Sequence, residues 1–255
     1  MSAAVLLEVE NGTATITLNR PEVRNAIDKP TADALAAVLD EVDERPDVTV
    51  AIITGTGSTF CAGMDLKAFS ATRERPLHEV RGAFGIVRKP PAKPIIAAIE
   101  GNALGGGLEI ALACDLIVAT RSSRLGLPEV KRGLVAAAGG VVRLPRRIPR
   151  GVAMELILTG EPVTAERALE LGLVNRLAED GQALSVAREL AAAIAVNAPL
   201  AVRAAKRIAD ESADWELDEA FDRQAAYTDE VRSSKDAAEG ARAFVEKRVP
   251  QWTGS

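Results

Sequence analysis

The chain has 255 residues, a net charge of −5, and 47% hydrophobic against 26% charged residues. This length and balance describe one large globular domain, or one with an appendage, with enough apolar material for a substantial core. The acidic balance argues against a general binder of nucleic acid or acidic membranes, and no long uninterrupted apolar run suggests a membrane span. The two cysteines, Cys61 and Cys114, have no metal-ligand spacing and are expected to be reduced and structural, with the cytoplasm as the simplest location. Met1 to Leu7 has neither a basic start nor a full apolar stretch, so no signal peptide is expected. The single histidine, His78, excludes a His-rich metal site, and its polar surroundings suggest a surface position.

In chain order, Val5–Val9 and Thr13–Leu18 flank Asn11-Gly12 and predict a β-hairpin. Thr31–Glu44 places Leu35, Val38, Leu39 and Val42 on one helical face, and Val48–Thr54 is an apolar strand. Phe60 to Lys67 turns into a short helix. A further helix is predicted over Leu77–Arg88, closed by Pro90, Pro91 and Pro94, in a polar stretch expected to be mobile. Ile95–Ile99 and Asp115–Thr120 are strands on either side of a glycine turn and a buried apolar helix that it opens. A loop then runs over residues 126–133. Helices are predicted over Gly151–Thr159, Thr164–Leu171, Gln182–Val196, Leu200–Glu211, Glu216–Arg232 and Lys235–Glu246. The recurring strand–loop–helix order with continuous apolar strands indicates an α/β fold whose sheets are covered on both faces. Asn197-Ala198-Pro199 is the expected boundary between a core, 1–196, and a C-terminal helical region, 197–255.

The chemistry concentrates between Ala97 and Asp115. Gly105-Gly106-Gly107 opens a helix, where free N–H groups and the dipole favour developing negative charge. Glu109 is the one carboxylate in the apolar run from Ala103 to Cys114, and an acid in such a setting needs either a hydrogen-bonded structural role or an acid–base one. Glu129, after Pro128 in a glycine-flanked loop, is a second candidate; alone it reads as a solvated acid, and its weight comes from pairing with Glu109. Paired carboxylates serve hydration, isomerisation or glycoside hydrolysis. Aromatics at 3% offer few sugar platforms, and a glycine-rich helix start suits an oxyanion better than an oxocarbenium ion. Neither a serine-hydrolase elbow, nor a dinucleotide fingerprint, nor a phosphate loop is present in the sequence.

Phe60-Cys61-Ala62-Gly63-Met64-Asp65-Leu66-Lys67 and Lys93-Pro94 through Gly105-Gly106-Gly107-Leu108-Glu109 resemble the two signatures of the enoyl-CoA hydratase/isomerase (crotonase) family. Further matches run from Asn19-Arg20-Pro21 through Cys114-Asp115, Pro128-Glu129, Gly139-Gly140 and Leu158-Thr159-Gly160 to Phe244–Arg248, nearly the whole chain. The resemblance implies a spiral of ββα units with a C-terminal helical region that builds trimers, or dimers of trimers. It implies an oxyanion hole from the backbone N–H groups of Met64 and Gly106, with Glu109 activating water for attack at Cβ and Glu129 delivering a proton at Cα. Coenzyme A contacts would come from Arg24, Ala26, Ala62, Asp65, Leu66, Lys67 and Gly105, and from Phe244 and Lys247 reaching a nucleotide, in related enzymes across subunits. Coenzyme A enters only as part of the substrate, and no metal or other cofactor is implied. The expected activity is reversible syn addition of water across the 2,3-double bond of an enoyl-CoA. Alternatives are a double-bond isomerase, a specialised dehydratase of the carnitinyl-CoA type, and a non-catalytic acyl-CoA binder. The chain departs from the hydratase pattern where Ala136-Ala137 replace a usual Pro-Gly, in a loop whose backbone helps seat the catalytic water or acid.

Overall fold

The sheet begins where the sequence alternates. β1 (Val5–Glu10) exposes every second residue, and turns through Asn11-Gly12 into β2 (Thr13–Leu18), its antiparallel partner. The computed structural model describes residues 3–255; Met1 and Ser2, part of the segment read above for a leader, lie outside them. α1 (Lys29–Glu44), with Pro30 in its first turn, starts from an Asp28 cap, whose carboxylate accepts from Thr31 N at 2.9 Å, and buries Leu35, Leu39 and Val42. β3 (Val50–Gly55) is buried throughout, as a central parallel strand requires. α2 (Leu66–Thr72) follows.

The helix expected over Leu77–Arg88 is absent. The segment forms a small hairpin, β4 (Leu77–His78) with β5 (Gly82–Ala83), and then successive turns. Gly82, Phe84 and Gly85 take positive φ, which interrupts a right-handed helix. Nor is the stretch loosely held. Arg81 is 1% exposed, its guanidinium bonded to Asp40 at 2.7 Å, Asp43 at 3.0 Å and the Lys89 carbonyl at 2.8 Å. His78 is half-buried and accepts from Arg81 N at 3.1 Å.

β6 (Ile95–Ile99) is followed by β7 (Asn102–Leu104), and the next helix, α3 (Gly106–Ala113), opens within the glycine run, as the sequence indicates. All of α3 is buried, and Leu108, Ile110 and Leu112 contribute about 1.5–3 kcal/mol each. β8 (Leu116–Thr120), β9 (Arg124–Gly126) and a 3₁₀ turn over Pro128–Arg132 come next. α4 (Gly140–Arg147) opens the part of the chain that the sequence indicates to be helical, from Val141 onward. α5 (Arg150–Thr159), β10 (Val163–Thr164), α6 (Ala165–Glu170) and β11 (Arg176–Ala178) lead to α7 (Ala183–Ala195), which buries Ala183, Ala187 and Ala191 against the sheet.

The main sheet has six strands in the order β1-β2-β3-β6-β8-β11, parallel beyond the first hairpin. β10, β9 and β7 form a second, three-stranded sheet. After α7 come α8 (Pro199–Glu211), α9 (Leu217–Arg232) and α10 (Lys235–Glu246). A 2.7 Å bond from Lys206 to Asp115, which also accepts from Ile95 N, ties α8 to the start of β8. Among the described residues no single helix is long and apolar enough to cross a membrane.

Candidate active site

The second sheet aligns the site. Ala103 of β7 pairs with Leu125 of β9, and Cys61 pairs with Ala103 through an isolated parallel bridge. Three residues beyond each of these lie Met64, Gly106 and Pro128, with Glu129 next. Segments far apart in sequence therefore leave the sheet abreast. Each belongs to the same local unit: long strand, short strand, then a helix or turn.

The approach is close because glycine allows it. Gly63 has φ +87°, and a Cβ built on it would lie 2.9 Å from Gly106 N. The Gly63 carbonyl accepts from Ile27 N at 2.8 Å, and Asp65 N donates to Ile27 O at 3.0 Å, which fixes the chain on both sides of Met64. The thiol of Cys61 accepts from Gly63 N at 3.3 Å, and burial pushes that thiol up to about 12. Among the described residues, the Met64 and Gly106 N–H groups take part in no backbone hydrogen bond. Met64 and Gly106 both line one cavity, and Gly106 stands at a helix N-terminus. Gly105, at φ +56°, turns the chain into α3 so tightly that a Cβ there would stand 2.9 Å from Glu129 Oε1.

Glu109 is 3% exposed. Its Oε1 accepts from Ala138 N at 2.7 Å and Gly140 N at 2.9 Å. Burial raises its carboxyl above the usual range; the Gly140 and Ala138 N–H groups and the Arg143 charge oppose that rise, and the Glu129 charge adds to it. Glu129 is also raised by burial, against its own backbone N–H and the Arg132 charge. Its Oε2 is buried without a hydrogen-bond partner. Two carboxyl groups whose hold on a proton is raised by burial, one fixed and one with an uncommitted oxygen, can share proton transfer.

Glu109, Glu129, Met64, Gly105, Gly106, Arg24, Ala62 and Leu66 all line one cavity of about 680 Å³. Its wall also includes Phe69, Leu77, Phe84, Leu134 and Val135, with Arg75, Lys131 and Arg132 among its polar members. Ala26, Asp65 and Lys67 do not line it. Ala26 and Asp65 are buried beside it, Asp65 capping α2 through Ala68 N at 2.9 Å and pairing with Arg20 at 3.1 Å, while Lys67 is exposed. Phe244 is 85% exposed on α10, and Lys247 follows it at the helix end; neither joins the cavity in this chain. Reading the sequence missed the N–H donors that hold Glu109. The small-residue run ending in Gly139-Gly140 carried the signal, because only a bare backbone can turn toward a buried carboxylate there. Phe84 was missed as well. Its ring packs on the Cα of Gly106 and walls the cavity.

The enoyl-CoA hydratase/isomerase family model matches residues 8–255. Enoyl-CoA hydratase EchA19 of Mycobacterium tuberculosis is 42% identical over 97% of this chain and 95% of its own length. (E)-benzylidenesuccinyl-CoA hydratase of Thauera aromatica is 40% identical over 98% and 99%. The crystal structure of enoyl-CoA hydratase EchA1 from Mycobacterium marinum superposes with a TM-score of 0.96 at 53% identity, covering 99% of each chain. The ββα spiral with its trailing helices is therefore the crotonase fold.

Proposed function

Since the chain belongs to the enoyl-CoA hydratase/isomerase family, we propose that it is an enoyl-CoA hydratase, a hydro-lyase that adds water reversibly across the 2,3-double bond of a 2-enoyl-CoA thioester. The observation that carries this reading is that a buried Glu109, a half-buried Glu129 and the main chain of Met64 and Gly106 all line one cavity. In the reaction the Met64 and Gly106 N–H groups hold the thioester oxygen. Charge accumulates on that oxygen as the enolate forms, so donors already in position stabilise the transition state more than the ground state. Glu109, anchored through Oε1, takes a proton from water as it attacks Cβ. Glu129, with its Oε1 next to Gly105 and its Oε2 unpartnered, protonates Cα on the same face, giving syn addition. The reverse sequence removes water. The steps require no metal or redox cofactor.

Arg24, Ala62 and Leu66 on the cavity wall, with Ala26, Asp65 and exposed Lys67 alongside, form the proposed path for coenzyme A. Arg24 and Lys67 suit its phosphates, whereas Asp65 serves by fixing the start of α2. Phe244 and Lys247 act on a nucleotide bound by another copy of the chain. The exposure of Phe221, Phe244, Val245 and Val249 at 68–85% supports a homo-oligomer, a trimer or pair of trimers, built through 197–255. Free, buried Cys61 and Cys114 suit a reducing cytoplasm.

The test follows the ultraviolet absorbance of the conjugated thioester across a panel of short to long trans-2-enoyl-CoA substrates. Absorbance that falls with the wild type and stalls with Glu109→Gln or Glu129→Gln is expected. Unchanged absorbance throughout the panel overturns the reading in favour of an isomerase, a specialised dehydratase or a binder, to be sought with 3-enoyl substrates. A monomer mass in light scattering at micromolar concentration rejects the trimer.

A further inference from the structure

Arg143 is half-buried in the second turn of α4, between the candidate active site and a second cavity lined by α3, α4, α8 and α9. Its Nη2 donates to the carbonyl of Val87 at 2.5 Å. Its Nη1 occupies the space that a Cβ on Gly139 would need. The residues on either side of Gly139 are Ala138 and Gly140, whose N–H groups hold Glu109 Oε1. The guanidinium therefore lies against the same three-residue loop that grips the carboxylate, and ties that loop to the segment carrying Phe84. Its backbone N–H is committed to the Gly139 carbonyl at 2.8 Å, which fixes the start of α4 on the loop.

The charged surroundings are few. Glu109 faces Glu129 from the 3₁₀ turn and Arg143 from α4, and Arg132 faces Glu129. Arg143 in turn faces Arg146 and Arg147 of its own helix, and Asp210 of α8 lies within its field. Cys114 is also close, but burial pushes its thiol up to about 12, so it carries no charge at neutral pH. Among the described residues Arg143 forms no salt bridge with any carboxylate. Its charge is thus available to a site where burial and a second acid both disfavour the ionised base.

We infer that Arg143 is a positioning residue for Glu109: it braces the 138–140 loop against Val87 and supplies a positive charge that favours the carboxylate form of Glu109 in proton abstraction. The inference rests on the reading of Glu109 as the base. It adds a residue outside the cavity wall, acting through another side chain and a loop.

The experiment compares the wild type with R143M, R143K and E109Q, after circular dichroism has checked that each is folded. In R143M the acid limb of kcat/KM is expected to move up by roughly half to one pH unit. At pH 7 its kcat should fall about tenfold while KM stays within about twofold. R143K retains the charge without the planar fork, so it should restore the acid limb but only part of kcat. An unmoved limb in R143M, or one that moves as far in R143K, overturns the inference. Difference infrared spectroscopy reads the same charge without turnover. The protonated-carboxyl band that E109Q removes should persist to higher pH in R143M than in the wild type, and an unchanged titration overturns the proposal even if no substrate is processed. The two readings fail separately: an active E109Q removes Glu109 as the base, whereas an inactive E109Q beside a wild-type R143M profile removes only Arg143.

Discussion

Gly63 approaches Gly106 so closely that a Cβ on the first would lie 2.9 Å from the amide nitrogen of the second. The contact is backbone against backbone, so no side-chain rotation can relieve it, and Gly63 also needs φ +87°. Gly63→Ala is expected to destabilise the fold by about 1–3 kcal/mol and to lower kcat/KM by about a hundredfold, comparable to losing one oxyanion donor. Chemical denaturation and steady-state kinetics on the same preparation check both. Wild-type kcat/KM in a folded variant contradicts the paired-donor geometry.

Glu109→Gln tests charge without disturbing shape. The remaining amide oxygen can still accept from Ala138 N and Gly140 N, which now bond Oε1 at 2.7 and 2.9 Å. Only the basic carboxylate is lost. A kcat reduced by about 10²–10⁴ with little change in KM is expected. A rise in KM alone would mean that Glu109 binds rather than reacts.

Glu129 predicts a pH-dependent stability. Burial holds its carboxyl above the usual range, so the folded chain binds its proton more tightly than the unfolded chain does. The stability from this group is whole below about pH 4 and is lost as pH rises through the folded value. Above the folded value the ionised group is a cost, worsened by the unpartnered Oε2. Glu129→Gln should therefore melt about 2 °C higher than the wild type at pH 7, with the gain vanishing near pH 4. Identical melting curves at both pH values contradict this.

Arg81 offers a test of the wall. Its side chain is 1% exposed and anchors the hairpin segment to Asp40 and Asp43 of α1. Asp40 is 57% exposed, which limits the worth of that pair, so Arg81→Met should cost about 2 kcal/mol rather than the full value of a buried ion pair. Since Leu77, Ala83 and Phe84 of that segment line the cavity, KM should rise several-fold more than kcat falls. Kinetics over the enoyl-CoA panel reads the ratio.

The long elements were legible because their patterns are long. β1, β2 and β6, and the helices from α5 to α10, lie within a residue or two of their expected limits. Glu109 and the glycine run were legible because a carboxylate in an apolar helix and three adjacent glycines are both costly. The short strands were not: β7, β9, β10 and β11 have two or three residues each, too few for a period to register. Their register, which brings Met64, Gly106 and Glu129 together, exists only in pairing between distant segments. The segment from Leu77 misled for a local reason. Its length and closing prolines suit a helix, yet Gly82 and Gly85 turn it, and a buried Arg81 holds it to another element.

The rank formed by Cys61, Ala103 and Leu125 works as a ruler. What is measured is the number of residues from the sheet to each working group, not the identity of most residues on the way. Sequence drift can therefore resculpt the cavity wall at Met64, Leu66 or Phe84 while that spacing survives. A single inserted or deleted residue between Cys61 and Met64, or between Ala103 and Gly106, would turn a donor away and silence the chemistry at once.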